Sequence, residues 1–119
     1  MTEFNEGRHA AEFIVSEANG HRSRETVTIA SGENLEAGHV LGEASGEYKE
    51  YNPGNADGSE TAVAVLYAPV DATDGAVEAA IIARDAEVDE AALSWFDGAS
   101  EAEKDTGKQE LADAGIIAR

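Results

Sequence analysis

The sequence predicts a mostly-β single domain with a small α part: short strands, one C-terminal helix and an extended N-terminal arm. At 119 residues the chain has room for one core and little beyond it. Its apolar residues fall in short, β-branched runs cut by Gly, Asn, Asp and Pro, which is how strands and tight turns read. Only near the C-terminus does a longer stretch carry both start and stop signals for a helix.

Residues 1–24 read as the arm, irregular and charged, punctuated by Asn5, Gly7, Asn19 and Gly20. Their only strongly apolar cluster is Phe13-Ile14-Val15. A terminus without a role reads the same way as a mobile arm. The domain proper is expected over 25–119, with order beginning near Arg24.

Thr26-Val27-Thr28-Ile29 alternates polar and apolar, a strand signal. Ser31-Gly32 breaks it. Leu35, Val40 and Leu41 lie among Gly38 and Gly42, as short strands joined by turns would. Tyr48 and Tyr51 flank Lys49-Glu50, and residues 52–58 are turn-rich. Residues 61–70 form the strongest strand candidate, apolar on both faces and so expected at the middle of the core, with Pro69 ending its ladder. Asp74-Gly75 reads as a hairpin-type turn. Val77, Ala79, Ile81 and Ala83 then resume a strand on one face, and Ala86-Glu87-Val88 continues it.

Residues 89–93 have the makings of one helical turn capped by Asp89. The main helix starts at Ser100, where Glu103 gives capping-box spacing. Gly107 inside it costs about 1 kcal/mol relative to Ala, so this helix needs tertiary support. Gly115 is the expected C-terminal stop, and Ile116-Ile117-Ala118-Arg119 a final strand returning to the sheet.

Charge narrows the function. There are 25 acidic residues against 8 basic ones, a net −17 and a pI near 4.2. Such a surface repels phosphate backbones and anionic lipid, so direct nucleic-acid and membrane partners are excluded from the expectation. The acidity reads first as a solvated face, and second as adaptation to a salty medium that screens self-repulsion. Cysteine is absent, so no disulfide or thiolate metal site forms. The first 15 residues carry Glu3, Glu6 and Glu12 and no apolar run of signal-peptide length, and nothing approaches a transmembrane span. A soluble product made in a cytoplasm is expected.

Enzyme constellations fail one by one. His9, His21 and His39 sit in polar surroundings at no metal-ligand spacing and read as surface residues. Gly42-Glu43-Ala44-Ser45-Gly46 misplaces the glycine of a nucleophile elbow, and no phosphate-cradling glycine motif occurs. Asn55-x-Asp57-Gly58 resembles the middle of a calcium loop, but the first ligand position falls on Pro53. No catalytic residue, cofactor or metal is expected. Trp95-Phe96, the only adjacent aromatic pair, reads as a core plug; the sharper reading is a self-association contact.

Four strings carry a resemblance. They are Ser23-Arg24-Glu25-Thr26-Val27-Thr28-Ile29, Gly32-x-x-Leu35-x-x-Gly38-x-Val40-Leu41-Gly42, Asp57-Gly58-x-x-x-Ala62-Val63-x-Val65-Leu66 and Leu111-x-x-x-Gly115-Ile116-Ile117-x-Arg119. In this order, over roughly residues 23–119, the chain resembles the phage lambda-type head decoration proteins. The resemblance implies a compact β-barrel or β-tulip-like subunit that binds the outside of an expanded phage head as a homotrimer at three-fold positions. There it would clamp the shell against packaged DNA, with the major capsid protein as partner. Carried over by position, Arg24, Glu25, Thr26, Val27, Thr28 and Ile29 are the expected capsid contact; Trp95 with Phe96 is the expected trimer contact only because aromatics are enriched at interfaces, and the resemblance does not point to them. The competing reading is an acidic β-rich binding module, either a DNA mimic or a peptide or small-molecule binder. Its carboxylates, however, are dispersed among glycines and turns instead of lined along helices.

Overall fold

The computed structural model describes residues 14–17 and 23–119. Ten strands and two helical pieces follow in order: β1 (Ile14–Glu17), β2 (Arg24–Ile29), β3 (Asn34–Leu35), β4 (Val40–Ala44), β5 (Glu47–Glu50), β6 (Ala64–Leu66), β7 (Val70–Asp71), β8 (Val77–Ile82), β9 (Ala86–Val88), a 3-10 turn (Glu90–Ala92), α1 (Glu101–Asp113) and β10 (Ile116–Ala118). Five strands close a barrel in the order β2-β5-β4-β6-β8. The expected mostly-β fold with one C-terminal helix is what forms.

β2 runs antiparallel to β8 along its whole length, from Arg24 opposite Ile82 to Ile29 opposite Val77. The barrel closes where β2 meets β5 in parallel at a single pair, Ile29 and Tyr48. β4 and β5 form a tight hairpin whose tip, Ser45 and Gly46, lies in the left-handed region at φ 54° and 86°. Those two positive angles match the twist of the flanking strands.

Alternation along the barrel strands divides the core in two. Leu41, Ala64, Leu66, Ile81 and Ile29 point into the barrel, with Leu35 and Ala72. Their neighbours Val40, Val65 and Ile82 point outward. That outer wall is covered by Leu111 of α1, by Ala86, Val88 and Ile116, and by Tyr51, Leu93 and Phe96. β6, together with Val40–Gly42 of β4 and Ile81–Ile82 of β8, is therefore buried on both faces. This is why residues 61–70 read as apolar throughout, although regular pairing occupies only Ala64–Leu66.

A three-stranded sheet, β1-β9-β10, forms part of this cover. β10 lies parallel to β9, Ile116 opposite Ala86, and returns the C-terminus to the sheet as its composition demands. β1 lies antiparallel to β9 with a bulge between Ile14 and Ser16. Residues 14–17, read from sequence as part of an irregular arm, thus form a strand. The rest of the expected arm, 1–13 and 18–22, lies outside the described residues.

The turn at Asp74-Gly75 is not a hairpin. β7 pairs with β3, Asn34 opposite Asp71 and Leu35 opposite Val70, so the chain turns out of one small ribbon into the barrel. Asp71 organises the turn by accepting from the backbone N–H and hydroxyl of Thr73. At α1 the capping box forms in both directions: Glu103 N–H to Ser100 Oγ at 3.2 Å, and Ser100 N–H to Glu103 Oε1 at 2.9 Å. Gly115, at φ 94°, reverses the chain into β10.

Candidate functional site

Arg24, Glu25, Thr26, Val27, Thr28 and Ile29 are all of β2, a barrel strand with one edge given to β8. Ala83 N–H donates to Ser23 O at 2.8 Å, so the backbone groups of odd-numbered residues here face β8. Those of even-numbered residues face the opposite way. Ala30 shows it, donating its N–H to Tyr48 O of β5 at 2.9 Å. β5 begins only at Glu47, and β2 runs on past the hairpin tip. Among the described residues no strand pairs with the outer edge of β2 at Thr26, whereas the Thr28 carbonyl is taken by the parallel bridge of Ile29 to Tyr48. The amide and carbonyl groups of Thr26 point outward, ready for an added strand.

Side chains make that edge rigid. Val27 and Ile29 pack into the barrel, while Thr26 is exposed. The Arg24 guanidinium sits 4.3 Å over the Tyr67 ring, and Arg84, just past β8, ion-pairs with Glu25 across the ladder. A depression of about 340 Å³ lined by Arg24, Glu25, Thr26 and Ala80 lies alongside. On the far side of the seam, Glu50 N–H is capped by Glu33 Oε1 at 3.0 Å. That end of the barrel is sealed by a side chain where β2 is open.

Trp95 and Phe96 pack against Tyr51, both edge-on, with ring centroids 6.1 and 6.0 Å away. Phe96 is buried in the outer core. Trp95 is half-buried and lies directly against Gly107 of α1, where a Cβ would come within 2.6 Å of its Cζ3. The remaining edge of Trp95 opens into a groove of about 330 Å³ with Leu93, Glu90, Lys104 and Lys108.

His39, expected at the surface, is only 7% exposed. Its Nε2 lies 2.8 Å from Glu50 Oε2. Burial pushes its pKa down from the ordinary 6.5, against the pull of the Glu50, Glu33 and Glu36 carboxylates. His9 and His21 fall outside the described residues. The calcium-like fragment is a closed knot: Asp57 Oδ1 accepts from Ser59 N–H and Oγ at 3.0 and 2.6 Å, and Oδ2 from Lys49 Nζ at 3.1 Å. The Ser59 bonds and Lys49 hold the Asp57 carboxyl well below the usual carboxylate range. Among the described residues no group of three or more His, Asp or Glu is placed to hold a metal ion.

Every described Lys and Arg is engaged within the chain. Lys49 pairs with Asp57, Arg84 with Glu25, Lys104 with Glu101, Lys108 with Glu90 and Asp105, and Arg119 with Glu87, while Arg24 stacks on Tyr67. Among the described residues, what remains to face a partner is negative or neutral. Sequence reasoning found β2 by its β-branched alternation. It did not find which edge was open, because that depends on where β5 starts relative to β2.

Among known families, the model described as bacteriophage lambda head decoration protein D matches residues 3–116. No curated protein matches the chain.

Proposed function

The chain belongs to the bacteriophage lambda head decoration protein D family, and from that premise we propose that it binds the outer surface of the expanded phage head as trimers at three-fold positions and cements the shell. The observation that carries this reading is the open outer edge of β2. A segment of the major capsid protein laid beside Thr26 gains main-chain hydrogen bonds there and continues the barrel sheet. Thr26 gives up no ladder bond to β8 in doing so.

One such contact is weak once the ordering entropy of the incoming segment is subtracted. Three contacts on one trimer gain through effective concentration, so a trimer holds where a monomer would dissociate. A clamp over three neighbouring capsid subunits opposes outward pressure from packaged DNA. An acidic outer layer suits this position, because the protein never meets the genome. Residues 1–24 are proposed as the arm that reaches the shell and 25–119 as the domain that stays on it. The exposed edge of Trp95, backed by Phe96, is proposed as one contact between copies.

The test is co-sedimentation of the full-length protein with undecorated, expanded shells, beside a Thr26→Pro variant. Proline removes the outward N–H of Thr26 and leaves the β8 ladder whole. Saturable pelleting near one chain per capsid subunit, reduced tenfold or more in affinity by the proline, supports the reading. Absence of pelleting by the full-length chain refutes it, and unchanged binding of the variant removes β2 from the contact.

A further inference from the structure

We propose that the Asp97–Gly98 bond is a modification site, where the chain converts to isoaspartate through a cyclic imide while the fold shields its two other Asp-Gly bonds. Three such bonds occur, Asp57–Gly58, Asp74–Gly75 and Asp97–Gly98, followed by Ser59, Ala76 and Ala99. Glycine after aspartate favours this reaction, because no side chain hinders the attacking amide and its φ is free. With local sequences so alike, the fold decides among the three.

The conversion consumes and releases only water. The Gly98 nitrogen attacks Asp97 Cγ; the N–Cγ bond forms, the Cγ–O bond breaks, and the hydroxyl leaves as water with the amide proton. Water then adds to either imide carbonyl. Opening at Cγ restores aspartate, whereas opening at the main-chain carbon leaves an isoaspartyl link, one methylene longer in the main chain. Three conditions permit it: a carboxyl that reaches its acid form, an amide nitrogen not held by a hydrogen bond, and a peptide plane that can turn toward the side chain.

Asp57 fails on all three. Ser59 and Lys49 hold its carboxylate ionised, Gly58 N–H donates to Glu60 Oε1 at 2.8 Å, and a Cβ at Gly58 would lie 2.4 Å from Glu43 O, so the peptide is wedged against β4. Asp74 fails on the second, because Gly75 N–H donates to Ala72 O at 3.2 Å in a turn that Asp71 also ties to Thr73. At Asp97 the turn is closed by Ala99 N–H to Phe96 O at 3.2 Å, a bond that passes over the Asp97–Gly98 peptide. Both residues are exposed, and no atom lies within 4 Å of a Cβ built at Gly98. Among the described residues, no hydrogen bond holds the Asp97 carboxyl or the Gly98 N–H. Gly98, at φ 84°, matches the third position of a type II turn, and glycine there takes either sign of φ, so the central peptide can rotate. The longer link falls between the Trp95–Phe96 pair and the Ser100 cap of α1, where it changes the path into the helix.

Incubation of the full-length chain in heavy-oxygen water at near-neutral pH tests this, since each imide opening leaves one heavy oxygen at the site. Tryptic cleavage places Asp97 on residues 85–104 and the other two sites on 50–84, where fragmentation tells them apart. Label and isoaspartate at Asp97 should exceed those at Asp57 at least tenfold and those at Asp74 at least threefold. Asp97→Glu should abolish both on 85–104. In urea, where the fold is gone, the three sites should convert within twofold of one another. Native conversion at Asp57 or Asp74 as fast as at Asp97 overturns the proposal, as does a native Asp97 that stays unlabelled. The same ranking in urea as in the native chain overturns it too, because local sequence and not the fold would then set the site.

Discussion

Gly107 illustrates how a residue that weakens an element locally is fixed by its neighbours. Alanine at an internal helix position is worth about 1 kcal/mol more than glycine, so Gly107→Ala ought to stabilise α1. The structure reverses the sign. The added methyl would meet Trp95 Cζ3 at 2.6 Å and Tyr51 Cε2 at 3.1 Å, and overpacking of this kind costs about 1–3 kcal/mol. Gly107→Ala is expected to lower stability by about 1–2 kcal/mol in chemical denaturation. Combining it with Trp95→Leu should recover part of that, because the two sites share one contact. A second residue-scale prediction concerns His39. Its folded pKa lies below 6.5, so the unfolded chain binds its proton first as pH falls. Stability is unaffected by this group above pH 6.5 and declines as pH drops through the interval down to the folded value. His39→Gln, which keeps a donor for Glu50, should show a shallower stability slope just below pH 6.5. Neither neighbourhood is legible in the sequence. Gly107 announces a need for tertiary support but not its partner, and His39 among glycines gives no hint of burial between β4 and the loop at Ser94.

At the scale of elements, what could be read from the chain was what short-range chemistry sets. The Ser100–Glu103 box, the Asp89 cap with Ala91 N–H on its Oδ1 at 3.0 Å, and the Thr26–Ile29 alternation all involve residues within a few positions of one another. Ser100→Ala should accordingly cost about 1 kcal/mol. Long-range pairing was not readable. Ile14–Glu17 becomes a strand only because β9, some seventy residues on, offers an edge. Asp74-Gly75 has hairpin chemistry, yet β7 finds its partner in β3. The candidate site follows the same division: β2 was legible as a strand, its open edge was not. The two edges of β2 give a sharp expectation. Thr26→Pro should fold with a near-native circular dichroism spectrum, since that N–H points away from β8. Val27→Pro removes an N–H directed at β8 and should unfold the barrel or cost at least about 3 kcal/mol. Similar stability for the two variants would contradict the assignment of which edge is open.

For the whole molecule the governing quantity is net charge. Salt acts on it in two opposed ways. It weakens the surface ion pairs of Lys49, Arg84, Lys104, Lys108 and Arg119, each worth about 0–1 kcal/mol. It also screens the mutual repulsion of carboxylates that outnumber cations 25 to 8, once the Debye length shrinks from about 10 Å at 0.1 M to about 3 Å at 1 M. The second effect should win, because even with every cation paired the carboxylates remain far in excess and unopposed. The thermal midpoint is expected to rise with sodium chloride, by roughly 4 °C for each 1 kcal/mol gained in a domain of this size. Assembly should respond more strongly than folding, since each added copy brings another −17 against those already in place. Shell pelleting that strengthens from 0.1 to 1 M salt is the expected result for a contact made of main-chain hydrogen bonds and apolar surface. Steady weakening over the same range would mean that a basic capsid surface, and not the open edge of β2, holds the protein on the shell.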